Sequence, residues 1–450
     1  MTEIRIEPVT RIESHGKLNL EYNDDGSVDK AYFTTPVLRG FEAFLTGSPV
    51  ERVPWLASRI CGVCPVFHAV GSARAIEKAL GIQIPDTADV LREILVLSQL
   101  IDSHALSFVV LSLPDLVPRT DFHSVVDIKT EFPELFEKGL RLHSLGRLMT
   151  STLGGRNVHP VNVRVGGMAE NPLLECKIDF ASSIDEASSL AVEFLGHLKT
   201  WFEEQSDLVG NLGSVKSNYM ALSNNGTVSF VKGDVKIANE MGEEINSFNP
   251  DQYLDILAEK VTSDTYMKAP YLKSLGSDAG TLRVNCLARA NVNTTYGTSI
   301  ADSEIQELRG KWGTPLEHSL LSHWTRLIET VYACERIKQL LDSPESKGTT
   351  TSVEIVLRDG EAVSSLEAPR GTLFHHYSIK NGHVDKANLL VATQNNLLAV
   401  NNALTQALEY SKANALEDAR VVRNIEMVLR AYDPCISCST HIVRPTPRDE

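Results

Sequence analysis

The sequence lacks any excess of basic residues: 43 Lys and Arg stand against 58 Asp and Glu, a formal net charge of −15. Nucleic acids and anionic membrane surfaces are polyanions that attract Lys/Arg-rich faces, so both are excluded as natural partners. Cysteine is also sparse, with 7 in 450 residues. That is far below the density of a small disulfide-stapled secreted domain, and it fits thiols kept reduced in the cytoplasm and available to a metal. The opening Met1-Thr2-Glu3-Ile4-Arg5 shows no basic region followed by an apolar run, so no signal peptide is expected. The long apolar stretch at residues 94–113 is broken by Gln99, Asp102 and His104, which are costly in hydrocarbon, and it reads as a buried helix with no direct membrane span. Internal repeats and low-complexity segments are missing too.

What is present suffices for an ordinary folded globule, since 42% hydrophobic residues over this length can fill a large core. Residues 4–33 read as a small β lobe, with Leu18, Leu20 and Tyr22 alternating with polar residues and Asn23-Asp24-Asp25-Gly26 supplying a turn. Helical periodicity marks residues 66–80, 87–113 (ending at Pro114), 182–204, 320–341, 395–412 and 418–431. Residues 210–291 and 351–391 return to β character, with Asp359-Gly360 and Asn381-Gly382 as turn signals.

Two cysteine motifs organise the chain. Arg59-Ile60-Cys61-Gly62-Val63-Cys64-Pro65-Val66-Phe67-His68 lies near one end and Asp433-Pro434-Cys435-Ile436-Ser437-Cys438-Ser439-Thr440-His441 near the other. Each holds a C-x-x-C with a histidine downstream. Pairs this far apart cannot form one local knuckle, so a shared metal requires the whole fold to close around it. Four thiolates are soft donors that suit zinc, an iron-sulfur cluster or nickel, and spacing alone does not choose among them. A closed structural zinc site is the commonest use of such pairs. Cys64 should lie near a helix N-terminus, where the dipole favours a thiolate. Cys334 falls on an apolar helical stripe and reads as packing; Cys176 and Cys286 have no motif partners and read as structural.

The residues flanking these motifs resemble the large, catalytic subunit of NiFe hydrogenases. The resemblance extends, in the family's order, through residues 7–16 (EPVTRIESHG), Leu38-Arg39-Gly40-Phe41-Glu42, Gly154-Gly155-Arg156-Asn157-Val158-His159-Pro160 and Glu367-Ala368-Pro369-Arg370-Gly371. It implies a helix-rich α+β fold in one large-subunit domain spanning residues 1–450. Long buried helices would form a central bundle with peripheral β lobes, and the active site would lie between the two cysteine motifs.

The resemblance also implies a NiFe(CO)(CN)2 centre, with Cys61 and Cys435 as terminal nickel ligands and Cys64 and Cys438 bridging to iron. Heterolysis of H2 needs an acceptor for hydride and a base for the proton. The base is either a terminal thiolate, Cys435 foremost, or the guanidine of Arg370, a poor base at its ordinary pKa. Arg370 is placed over the open site beside Asp115 and Asp433, with Pro369 adjoining. Glu13 matches a proton gate, set against the reading of a solvated edge residue; Ser14 stands where the family usually has Gly. His68 is either a donor to a cysteine sulfur or a satisfied core histidine. Glu42 and His441 match side-chain ligands of a second metal, commonly Mg2+. Residues 442–450 are a short propeptide or a retained tail.

No motif remains here for an iron-sulfur relay, so the resemblance implies a separate partner, an iron-sulfur small subunit. Residues 321–326 and 431–435 resemble the cytoplasmic, multi-subunit branch of methanogens and anaerobes, with further flavin/iron-sulfur diaphorase or bifurcating subunits and a flavin, NAD(P), deazaflavin or ferredoxin acceptor. The competing readings are a structural zinc protein, a cofactor-free scaffold like the related subunit of respiratory complex I, and a hydrogen sensor.

Overall fold

Leu18, Leu20 and Tyr22 point inward from one face of an alternating segment, and in the computed structural model that segment is the strand Lys17–Tyr22, paired antiparallel with Thr2–Ile6 and Val28–Thr34. The structure describes residues 2–119, 121–175, 179–262 and 265–439. His441, the 442–450 tail and Cys176 therefore lie outside the described residues. Residues 7–16, expected to be strand-like, instead form a loop with an isolated parallel bridge between Glu13 and Cys435. Arg11 and Ser14 take φ of 57° and 67° there. This left-handed region is where glycine is comfortable, which gives the Gly-to-Ser departure at position 14 a conformational cost.

The fold is helix-rich α+β. Its interior is built by the helices Pro65–Leu80, Asp86–Ala105, Pro133–Gly154, Phe180–Glu204 and Ser322–Asp342. Asp86–Ala105 is sandwiched between Pro133–Gly154 and Ser322–Asp342, and the latter also packs on Phe180–Glu204. Ala392–Ala413 lies across the strand Val28–Thr34 and against the helix Asp418–Tyr432. The N-terminal sheet is thereby tied to the C-terminal helices.

The apolar helix does not end at Pro114 as its sequence suggests. Leu106–Ser112 shifts to π-helical bonding, so the ladder changes register before the proline, whose missing N–H falls at the start of a new α-turn, Leu113–Leu116. The continuous stretch Asp86–Leu116 is long and apolar enough to cross a membrane, but 78% of its most apolar window is buried in protein, so it is a core helix.

The sheets are small. Asn218–Asn224, Asp234–Ala238 and Glu244–Phe248 run antiparallel, with Leu282–Arg283 added in parallel at one edge. Gly360–Ala368, Gly371–Lys380 and His383–Leu390 form a three-stranded antiparallel sheet against which Pro65–Leu80 packs. Arg370 sits in the turn between the first two of these strands. Gly371 has φ of 125°, and a Cβ there would lie 1.9 Å from the Val284 carbonyl oxygen, so no larger residue fits.

The crossing of Asp86–Ala105 and Pro133–Gly154 is equally close at Gly146, where a Cβ would lie 2.4 Å from the Asp102 backbone nitrogen. Backbone cannot yield as a side-chain tip can. Gly146→Ala is expected to destabilise the protein by about 1–3 kcal/mol through overpacking, read as a lowered Tm by calorimetry; an unchanged Tm would show that the helices separate freely.

Candidate metal centre

The first cysteine pair is set by a change of backbone. A short 3-10 turn, Ser58–Ile60, gives way to extended Cys61 (φ −140°, ψ 140°), and Cys64 caps the helix Pro65–Leu80, whose first-turn proline loses no hydrogen bond. The second pair follows the helix Asp418–Tyr432, which stops because Asp433 turns left-handed (φ 53°, ψ 57°) ahead of Pro434. Cys435 donates its N–H to Thr393 Oγ1 (3.0 Å), and the short helix Ile436–Ser439 carries Cys438.

The four sulfurs meet in one buried pocket and all lie within 4.8 Å of one another. Cys61 and Cys435 are 3.3 Å apart, Cys64 and Cys438 3.3 Å, and Cys435 and Cys438 3.1 Å. These separations exceed a disulfide bond and fit ligands around a small metal centre. Burial opposes ionisation of Cys61, yet hydrogen bonds from Cys435, Cys438 and Cys64 hold it well below the ordinary thiol range. Cys435 is pushed well above that range by its contact with Cys438, and Cys438 by burial. Four thiolates cannot coexist in this pocket without a cation. The donor set and its charge therefore fit a metal centre.

Arg370 overlooks the cluster. Its Nε donates to the Asp433 carbonyl (3.1 Å), Nη2 to Asp433 Oδ1 (3.0 Å) and Nη1 to Ser103 Oγ (2.6 Å). Burial works against its charge, but Asp433 and the sulfurs of Cys435, Cys64 and Cys61 hold its proton more tightly than usual. His68, also buried, reaches Cys438 Sγ through Nε2 (3.5 Å) and His375 through Nδ1 (3.2 Å). Burial pushes its pKa down to about 4, so the imidazole is neutral.

A family model described as nickel-dependent hydrogenase matches residues 39–131 and 216–441, and one described as HoxL-like matches residues 3–36. A chain of the F420-non-reducing hydrogenase vhc from Methanococcus voltae is 34% identical, covering 100% of this chain and 97% of that protein. The NAD-reducing hydrogenase HoxS subunit beta of Cupriavidus necator is 30% identical over 98% of this chain and 95% of its own length. A crystal structure of an NAD+-reducing [NiFe]-hydrogenase in the H2-reduced state superposes with a TM-score of 0.93 at 30% identity, covering 98% of this chain and 100% of that one. The chain belongs to the nickel-dependent hydrogenase family. It is the catalytic large subunit of a NiFe hydrogenase, an oxidoreductase acting on H2. Family membership and the clustered thiols are consistent with a nickel-iron site at these four cysteines.

Other expected residues of the hydrogenase chain lie at different distances from the sulfurs. Glu13 is half-buried and accepts two hydrogen bonds from Ser437, one from its N–H (2.9 Å) and one from its hydroxyl, between the two C-terminal cysteines. Asp115 is buried, and its hydrogen bonds come from other arginines than Arg370: Arg11 Nη1 and Nη2 (3.0 and 2.6 Å) and Arg430 Nη1 (3.0 Å). Glu42 accepts the Leu389 N–H (2.9 Å), and burial raises its pKa despite Lys268 nearby.

Sequence reading overlooked what holds Pro369 and Arg370 in place. Arg289, fully buried, spends all five N–H donors on this task. Nε and Nη2 fork onto Glu329 (2.6 and 2.7 Å); Nη1 reaches Glu367 Oε2 (2.8 Å) and the Ala368 carbonyl (3.0 Å); Nη2 also reaches the Pro369 carbonyl (3.2 Å). His104 Nε2 adds 2.8 Å to Glu329, and Asn396 Nδ2 donates to the Arg370 carbonyl (2.9 Å). Burial keeps His104 neutral, with a pKa of about 4, and raises Glu367 to about 7 against the pull of Arg289. The legible signal was a polar group on an apolar helix: Glu329 and His104 both stand among buried apolar residues.

Arg289→Met strands two buried carboxylates. It is expected to cost about 3–5 kcal/mol in chemical denaturation, with Arg289→Lys intermediate because a point charge cannot serve the same fork of acceptors. A loss below about 1 kcal/mol would show that Glu329 and Glu367 find other partners.

Proposed function

We propose that Cys61, Cys64, Cys435 and Cys438 hold a nickel-iron centre carrying carbon monoxide and cyanide, with Cys61 and Cys435 terminal on nickel and Cys64 and Cys438 bridging to iron. The observation that carries this reading is the convergence of four buried sulfurs within 4.8 Å of one another, faced by Arg370, in a chain of this family. When bound, the centre supplies the electrophile at which H2 is polarised and split. Everything else falls to the chain's own residues.

Arg370 is locked as a donor on Asp433 and Ser103, so its role is to orient and polarise what enters, and the proton acceptor is the Cys435 thiolate. Asp433 fixes that guanidinium directly. Asp115 acts one layer further out by pinning Arg11 and Arg430, the latter on the helix that leads into Asp433. Glu13, backbone-paired with Cys435 and bonded to Ser437 between the two C-terminal cysteines, is the exit for the proton, because it is a half-buried carboxylate at the edge of the cysteine loop. His68 Nε2–H donates to Cys438. Glu42, a partly buried carboxylate, is a ligand for Mg2+ together with His441.

Electrons leave through another chain: among the described residues Cys286 and Cys334 are single buried thiols, and Cys176 has no motif partner in the sequence. Beside Cys61, Leu38, Phe44 and Trp55 are 49%, 58% and 42% exposed around a cavity of about 550 Å³ also lined by Arg39 and Arg59. An apolar patch with arginines at its edge suits a protein interface. We assign it to an iron-sulfur small subunit in a cytoplasmic multi-subunit complex, with flavin- and iron-sulfur-bearing subunits passing electrons to an NAD(P)- or ferredoxin-type acceptor.

Metal analysis and infrared spectroscopy of the purified complex test this reading. Nickel and iron in equal amounts, with bands for metal-bound carbon monoxide and cyanide, are expected; zinc alone would overturn it. Cys435→Ser is expected to abolish H2 oxidation. Glu13→Gln should leave the metals and infrared bands intact while lowering H2 oxidation and H2/D2O exchange about 10²–10⁴-fold, and unaltered exchange would remove Glu13 from the proton route.

A further inference from the structure

His68 does not end the hydrogen-bonded chain that starts at Cys438. Its Nδ1 lies 3.2 Å from His375 Nε2, and His375 Nδ1 lies 2.7 Å from the Tyr377 hydroxyl. His375 and Tyr377 sit two apart on the strand Gly371–Lys380, so both face the helix Pro65–Leu80 that carries His68. All three side chains are buried.

A thiolate at one end of this chain favours one direction for its bonds. A thiolate at Cys438 carries no proton, so it can only accept, and His68 Nε2 must be the donor. With one N–H on each ring, the 3.2 Å contact pairs His68 Nδ1 as acceptor with His375 Nε2 as donor. His375 Nδ1 is then an acceptor, and the Tyr377 hydroxyl must donate to it. The opposite polarity would set a nitrogen lone pair of His68 against the sulfur's own.

We propose that His375 and Tyr377 are positioning residues that act through His68 on the sulfur of Cys438, in a one-way relay Tyr377 O–H to His375 Nδ1, His375 Nε2–H to His68 Nδ1, and His68 Nε2–H to Cys438 Sγ. The proposal rests on the reading of Cys438 as a metal thiolate given above. Each bond polarises the next in a dry interior, so the relay strengthens the last bond and draws electron density off the sulfur. It also fixes the His68 tautomer and ring orientation, as the outer partner of a ligand-supporting histidine does elsewhere. The strand Gly371–Lys380 therefore serves the thiolate cluster by two routes: the turn that leads into it presents Arg370, and its middle sets the donor strength felt by Cys438.

The test is infrared spectroscopy on the purified complex, because carbon monoxide and cyanide bands report electron density at iron whether or not the enzyme turns over. Tyr377→Phe removes only the terminal donor. With nickel and iron contents unchanged, both sets of bands are expected at lower wavenumber, since a weaker hydrogen bond leaves more density on sulfur and iron. His375→Leu should move them further the same way. His375→Gln, whose amide N–H can stand in for Nε2–H, should bring them back. An upward shift in Tyr377→Phe would mean that the hydroxyl accepts and that the relay runs the other way; unmoved bands would mean that His68 acts without it. Either result overturns the proposal. Absence of these bands from the unsubstituted enzyme would instead overturn the nickel-iron reading, and the relay with it.

Discussion

Everything in this protein depends on bringing four sulfurs, from segments almost a whole chain apart, into one pocket closed to water. Thiols packed 3.1–3.3 Å apart and buried cannot all ionise, and the guanidinium of Arg370 alone does not offset four charges. Such a cluster is stable as a tetrathiolate only around a cation. The fold meets this demand by making the surroundings rigid. Cys64 starts a helix, Cys435 follows a left-handed residue, and the backbone of each motif is bonded to a part of the chain remote in sequence.

Rigidity around the centre comes from buried polar groups whose hydrogen bonds are directed. Arg289 joins Glu329 on one helix to the turn that presents Pro369 and Arg370, and Asn396 takes the next carbonyl. Ion pairs this deep seldom add net stability over well-packed apolar groups, but breaking one is expensive, so they serve to specify a single geometry. Asp115 plays the same part on the other side, gathering Arg11 from the N-terminal loop and Arg430 from the helix that ends at Asp433. The arginine that overlooks the metal site is thus held by successive layers of buried charge.

The segments that carry chemistry are also the irregular ones. The π-helical stretch Leu106–Ser112 shifts the core helix just before Asp115, and the loop of residues 7–16 adopts positive φ at Arg11 and Ser14 on either side of Glu13. Irregular backbone costs free energy and is kept where a side chain must be aimed rather than packed. Pro114 and Ser14 look like a helix stop and a harmless substitution when read as letters. Their meaning lies in the backbone they occupy.

Much of this protein was legible in its letters. The two C-x-x-C pairs, the EAPRG stretch and the Arg-Ile-Glu segment identify the cluster, Arg370 and Glu13, because metal ligands and their immediate neighbours are restricted in type and order. Hydrophobic periodicity located most of the principal helices for the same kind of reason, since one buried face imposes a repeat that can be counted, but it did not reveal Pro133–Gly154. Beyond Glu329 and His104, which stand out as polar groups on apolar helices, the second layer left no such trace. Arg289, Ser103, His375 and Tyr377 belong to four local patterns that each look like ordinary core or surface, and nothing in spacing says that a strand residue at 375 will meet a helix residue at 68. Which carboxylate pairs with which arginine, and which way a chain of imidazoles donates, depends on distances of about 3 Å between groups hundreds of residues apart; only the closed fold sets those, since directional hydrogen bonds carry no signature along the chain.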